Sequence, residues 1–128
     1  MRSLLIAALL PALNGCADAC QNTPLTSAVS PDGRHSAVLF QRDCGATSGF
    51  STHISILAAS DEPNSAGNIF IADDDHGAAS VGEWGGPWAE MKWLAADHLL
   101  VNYAAKSRIF ERADEVDGVR ITYRVALR

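Results

Sequence analysis

Apolar and polar residues alternate with a period of two along most of this chain. Thr52, Ile54 and Ile56 share one face while His53 and Ser55 share the other, and Ile69 and Ile71 flank Phe70 in the same way. Met91 and Trp93 alternate with Glu90 and Lys92, and Leu99, Val101 and Tyr103 fall together. The clearest run is the last, where Val119, Ile121, Tyr123, Val125 and Leu127 alternate with Arg120, Thr122, Arg124, Ala126 and Arg128. Such alternation is that of strands with one covered face. Beyond residue 15 no apolar face recurs at helical spacing over eleven or more residues. Turn-rich connections separate the runs at 60–67, 73–87, 95–97 and 113–118. The pattern predicts one all-β domain of seven or eight mostly antiparallel strands, arranged as a meander, a sandwich or a curled sheet.

Turn chemistry adds register. Ser30-Pro31-Asp32-Gly33 places proline and glycine at the second and fourth positions of a type I turn, so that 26–29 pairs with the run 35–42. Asp117-Gly118 marks a hairpin, read as pairing the last strand with 108–112. The stretch 42–50 carries Gly45, Gly49 and Cys44 between two strands, the position of a turn with a crosslink. Residues 17–29 are mostly small or polar and read as a tether, which puts the domain at 30–128. His35, His53 and His98 read as half-exposed strand residues.

A chain of 128 residues with 48% hydrophobic and 20% charged residues holds one small core. Its first residues differ from the rest. Arg2 precedes an apolar run, Leu4 to Leu10, then Pro11-Ala12-Leu13-Asn14-Gly15. That run of about ten residues is too short for a bilayer, which needs about 20. It reads as an export signal covering 1–15. Leu13-Asn14-Gly15-Cys16 resembles the bacterial lipobox. The resemblance implies cleavage before Cys16, diacylglycerol on its thiol and a lipidated tether over 16–29. Ala17 in place of aspartate resembles the pattern of lipoproteins sent to the outer membrane, which implies the periplasmic face of that membrane. If Cys16 carries lipid, Cys20 and Cys44 remain as a pair that the oxidising periplasm would join. Without 1–15 the chain keeps nine basic against fifteen acidic residues, a balance that argues against nucleic acid as a partner.

A second resemblance rests on Ser30-Pro31-Asp32-Gly33, Phe40-Gln41-Arg42-Asp43-Cys44-Gly45-Ala46-Thr47, Gly49-Phe50-Ser51-Thr52 and, more loosely, Gly67-Asn68-Ile69-Phe70-Ile71-Ala72-Asp73 and Trp93. These stretches are similar to a family of small uncharacterised bacterial proteins, many of them predicted lipoproteins. That resemblance implies no activity.

Candidate chemistry is sparse. Asp73-Asp74-Asp75-His76-Gly77 lacks the later ligands of a calcium loop and the second histidine of a zinc site, so no metal and no cofactor is expected. Gly45-Ala46-Thr47-Ser48-Gly49 has its serine one place late for a nucleophile elbow, and a strand follows it. Arg120, Arg124 and Arg128 read as a solvated strand face. No catalytic residue is assigned. The expectation is a lipid-anchored, non-enzymatic module that binds another envelope component. An envelope enzyme assembled from distant residues such as Asp43, His53 and Asp75, or an inhibitor or immunity-like protein, is the alternative. The connection 73–87 exceeds the usual four to six residues and reads as functional or disordered. Asp73, Asp74, Asp75, Trp84 and Trp88 are its expected partner contacts, with Trp84 the more exposed indole. If Trp84 is an exposed anchor, its loss costs stability no more than about 1 kcal/mol, against roughly 3 to 5 for a buried indole.

Overall fold

The alternating runs become strands because each has one apolar face to hide, and those faces meet between two sheets. The computed structural model describes residues 20–45 and 50–127. The expected signal peptide 1–15, Cys16 and the tip of the first long turn lie outside the described residues. One sheet holds β1 (Gln21–Val29), β2 (His35–Asp43), β3 (Ser51–Ala58), β4 (Phe70–Asp73) and β7 (Arg108–Arg112) in that spatial order. The other holds β5 (Ala89–Ala95), β6 (His98–Ala104), β9 (Val119–Ala126) and the two-residue β8 (Glu115–Val116). The chain is thus all-β across the described residues, with nine strands.

Ala37, Leu39, Ile54, Ile56, Phe70 and Ala72 of the first sheet face Leu99, Val101, Tyr103, Val119 and Ile121 of the second in one buried cluster. Met91, Trp93 and Tyr123 pack against it from their predicted faces. Burial pushes the Tyr123 phenol above its ordinary pKa. Its hydroxyl lies 2.8 and 2.7 Å from the carbonyls of Ile69 and Ala113.

Three features differ from the sequence reading. The strand expected to begin at residue 26 begins at Gln21, opposite Asp43, so the domain starts within the stretch read as tether. Its residues are mostly exposed, because β1 is an edge strand, and composition alone therefore resembled a linker. Secondly, Asp117 (φ 53°) and Gly118 (φ 81°) do form the hairpin turn, but β9 pairs through it with Glu115–Val116. The strand Arg108–Arg112 crosses to the first sheet and pairs with β4, and β9 lies parallel to β6. Core packing also ends at Tyr123 on β9, leaving Val125 and Leu127 exposed.

Thirdly, His53 is buried, with 5% of its surface exposed. The connection between β3 and β4 folds back over the outer face of the first sheet and covers it. Asn68 binds that connection to β3 with its carboxamide, accepting from the Ile56 N–H (2.8 Å) and donating to the Ile56 carbonyl (2.9 Å). Farther out, Asn22 Nδ2 donates to the carbonyls of Pro63 and Ser65. Val38 and Phe40, on the outward side of β2, are buried as well. His35 and His98 are half-buried, as read.

Candidate functional site

Two hollows carry the residues that the sequence singled out, and both begin at the same end of the sandwich. Across the first sheet the register aligns Asn22 with Arg42, Arg42 with Ser51, Ser51 with Asp73 and Asp73 with Arg108. Two positions farther out, Cys20 and Cys44 are joined in a disulfide, next to the Gln21–Asp43 pair.

The outer face of this row forms a hollow of about 560 Å³, lined by Arg42, Ser51, His53, Ile71, Asp73, Asp74, His76, Arg108 and Phe110 among others. Arg108 grips Asp73 through two nitrogens, Nε to Oδ1 at 3.0 Å and Nη2 to Oδ2 at 2.6 Å. The guanidinium, with a contribution from the Asp75 N–H, holds the Asp73 carboxyl below its usual range. Arg108 also stacks 5.3 Å from the centre of the exposed Phe110 ring. Arg42 donates to Asn22 Oδ1 at 2.7 Å. Asp75, His76 and Gly77 are successive residues at positive φ, a tight left-handed turn that carries Asp74 and His76 to the rim.

His53 and Ser51 sit side by side on the floor, 3.0 Å apart, which invites comparison with a serine–base pair. The hydrogen bonds run the wrong way for it. The Gly67 N–H donates to His53 Nδ1 at 2.9 Å, which leaves the proton on Nε2. That proton points to Ser51 Oγ, and the Ser51 hydroxyl donates in turn to the Arg42 carbonyl at 3.2 Å. A general base needs a lone pair facing the nucleophile, and here neither ring nitrogen offers one. Burial, with the nearby Arg42 charge, pushes the His53 pKa down to about 4. Its ring is 5.2 Å from Phe40, so His53 is a neutral packing residue. Of Asp43, His53 and Asp75, only His53 lines this hollow.

The tryptophans occupy a different place. Residues 80–88 form a small closed hairpin: Val81 bridges Pro87, the Gly82 N–H donates to the Gly86 carbonyl at 2.8 Å, and the Trp88 N–H to the Ser80 carbonyl at 2.9 Å. Two glycines of this connection, Gly82 and Gly86, make room for an indole. A Cβ on Gly82 would stand 2.2 Å from the Trp84 ring, and one on Gly86 would stand 2.7 Å from both Trp84 Nε1 and Thr52 Oγ1. Trp84 folds into that space and donates to Thr52 Oγ1 at 2.8 Å, and Thr52 donates to the Pro87 carbonyl at 2.6 Å. Trp84 and Trp88 are both half-buried. Together they line a groove of about 660 Å³ with Leu25, Thr26, Gln41, Val81, Gly82 and Glu83.

The five expected contacts therefore separate. Asp73 and Asp74 line the outer hollow, Trp84 and Trp88 the groove, and Asp75 neither. Leu25 and Val81, 37% and 49% exposed, complete the groove unannounced. Leu25 lay in the presumed tether and Val81 amid glycines, and the only available signal was an isolated aliphatic in a polar stretch. No family model, curated protein or solved structure matches this chain.

Proposed function

We propose that this chain is a non-enzymatic, lipid-anchored module of the bacterial cell envelope, held by Cys16 at the periplasmic face of the outer membrane, that grips an apolar segment of another envelope protein. The observation that carries the reading is the groove, where two half-buried tryptophans stand beside the partly exposed Leu25 and Val81. Tryptophan dominates binding energy where it is anchored and ringed by contacts that exclude water. Trp84 is anchored by its bond to Thr52, so little side-chain freedom remains to be lost on binding. The Ser51–His53 pair, oriented against nucleophile activation, supports a binding role over an enzymatic one. The lipid anchor rests on the lipobox resemblance at Leu13-Asn14-Gly15-Cys16.

The test uses the full chain expressed in a two-membrane bacterium with a photo-crosslinking side chain at Val81 or, as a control, at Leu94, an exposed aliphatic away from the groove. An envelope protein should crosslink from position 81 and not from 94, and Leu25→Glu should suppress the adduct. Equal adducts from both positions, or none from 81, refute the groove. Cys16→Ser should abolish acyl labelling; a normally cleaved, soluble wild-type product refutes the anchor.

A further inference from the structure

We infer that the disulfide end of the sandwich faces the lipid bilayer and rests on it through Phe50 and Phe110. The inference rests on the proposed lipidation of Cys16 and deepens it by assigning the docking surface. Four residue steps separate Cys16 from Cys20, and consecutive Cα atoms of an extended chain advance at most about 3.6 Å, so the tether spans at most about 14 Å. Cys20 is not a free end: its disulfide to Cys44 fastens it to the turn after β2, and the next residue, Gln21, is already paired with Asp43. The lipid attachment point is therefore held close to one end of a rigid sheet. That leaves little room for the domain to turn over.

The end so presented is the one with exposed aromatic rings. Phe50, immediately before β3, is 48% exposed and lies against Gly85, where a Cβ would stand 2.6 Å from its ring. Phe110 is 59% exposed and shares the outer hollow with Cys44. The opposite end carries the Ser30–Gly33 turn and the His35–Asp117 contact at 2.9 Å, and the exposed apolar side chain beside that turn is the aliphatic Val29 rather than an aromatic ring. Leu94 belongs there, since its neighbour Trp93 donates to the Ala28 carbonyl, close to that turn.

Electrostatics decides what kind of membrane surface fits. Around the disulfide end Arg42, Lys106 and Arg108 are outnumbered by Asp43, Asp73, Asp74 and Asp75, and Arg108 is already paired with Asp73. Anionic headgroups attract polybasic surfaces, and this end is not one. The occupant is a zwitterionic phospholipid surface, with the tether supplying proximity and the two rings the apolar contact. The groove lies near the same end, because Gln41 stands three residues from Cys44, so its partner would be engaged close to the membrane.

The test uses the full lipidated protein, purified in detergent and reconstituted into phosphatidylcholine vesicles whose acyl chains carry bromine, a short-range quencher of indole. Phe50→Trp, Phe110→Trp and Leu94→Trp are compared, each as the emission gained over the wild-type chain with its three native tryptophans. The added emission should be quenched for positions 50 and 110 and retained for 94, and adding anionic lipid should not deepen the quenching. Flotation with the vesicles is scored first. A chain that fails to float overturns the anchor and this inference with it. A chain that floats but is quenched equally at 94 and 50, or at none of the three positions, overturns the orientation while leaving the anchor standing.

Discussion

Trp84 donates its indole N–H to the hydroxyl of Thr52, a residue buried completely in β3 and 32 positions away in sequence. The bond fixes the tip of the long connection onto the first sheet, and Thr52 passes it on to the Pro87 carbonyl. The most conspicuous residue of the groove is therefore also part of the fold.

Thr52→Val keeps the shape of the side chain but removes both hydrogen bonds, leaving the Trp84 N–H and the Pro87 carbonyl without this partner. A buried polar group left unsatisfied costs about 1 to 3 kcal/mol, and guanidinium unfolding should show a loss in that range. Trp84→Ala should cost roughly 3 kcal/mol, since the ring packs against the core cluster. That exceeds the 1 kcal/mol expected of an indole standing free in solvent. The double variant should fall short of the sum of the two losses, because both remove the same bond. Full additivity would mean that the bond contributes nothing.

How far the sequence was legible follows from what each residue has to satisfy. Strand faces could be read where alternation and burial agree, as at Ile54, Ile56, Val101 and Ile121. They could not where a strand lies at an edge: Gln21–Val29 pairs along its length with β2 while exposing most of its side chains, so its polarity resembled a linker. Pairing partners were less legible than strands. Arg108–Arg112 and Glu115–Val116 both precede the Asp117-Gly118 turn, and only packing between sheets decides which one returns to β9. At the candidate sites the indoles and aspartates stood out by type, but their separation into two hollows depends on where the hairpin 80–88 folds, which local spacing does not encode.

His53 makes stability depend on pH in a defined window. Its pKa falls from 6.5 to about 4 on folding. Between those values the unfolded chain takes up a proton that the folded chain refuses, so this contribution is present above pH 6.5 and is lost as pH falls toward 4. The slope approaches about 1.4 kcal/mol per pH unit inside the window. His53→Gln should flatten it, whatever the variant's stability at neutral pH. The ring protons of His53 should show no titration by NMR above about pH 5. A midpoint near 6.5 would refute the burial argument.

The Cys20–Cys44 disulfide joins the ends of β1 and β2 across a sequence separation of 24. In the chain-entropy view, closing a loop of that length in the unfolded state is worth roughly 3 kcal/mol. Replacing both cysteines with serine should lower the unfolding free energy by about that amount. The strand circular-dichroism signature should survive, since eight register pairs hold β1 to β2 without the bond. Loss of the β signature would show instead that the disulfide is required for the edge strand to dock.

Gly67 is where the connection over His53 comes closest to the sheet. A Cβ there would stand 2.6 Å from the Phe70 carbonyl oxygen, 2.9 Å from that of Ile54 and 3.0 Å from the Ile54 nitrogen. All three are main-chain atoms of β3 and β4, and Ile54 and Phe70 are register partners in that pairing, so no side chain can swing aside to admit a methyl group. Gly67→Ala must displace either the connection or the strands, and overpacking of this kind costs about 1 to 3 kcal/mol. The connection should yield first, because β3 and β4 are held by a strand pairing, whereas the connection is held by separate side-chain bonds, from Asn68, from Asn22 and through the Gly67 N–H to His53. Lifting it breaks that bond and opens the imidazole to water. The variant should therefore lose stability and, in the same protein, show a His53 pKa moved up toward 6.5. Ser65→Ala, in the exposed part of the same connection, should change neither by more than about 0.5 kcal/mol or its equivalent in pKa. A destabilised Gly67→Ala with an unmoved His53 pKa would mean that the strands had shifted and the cover had stayed in place.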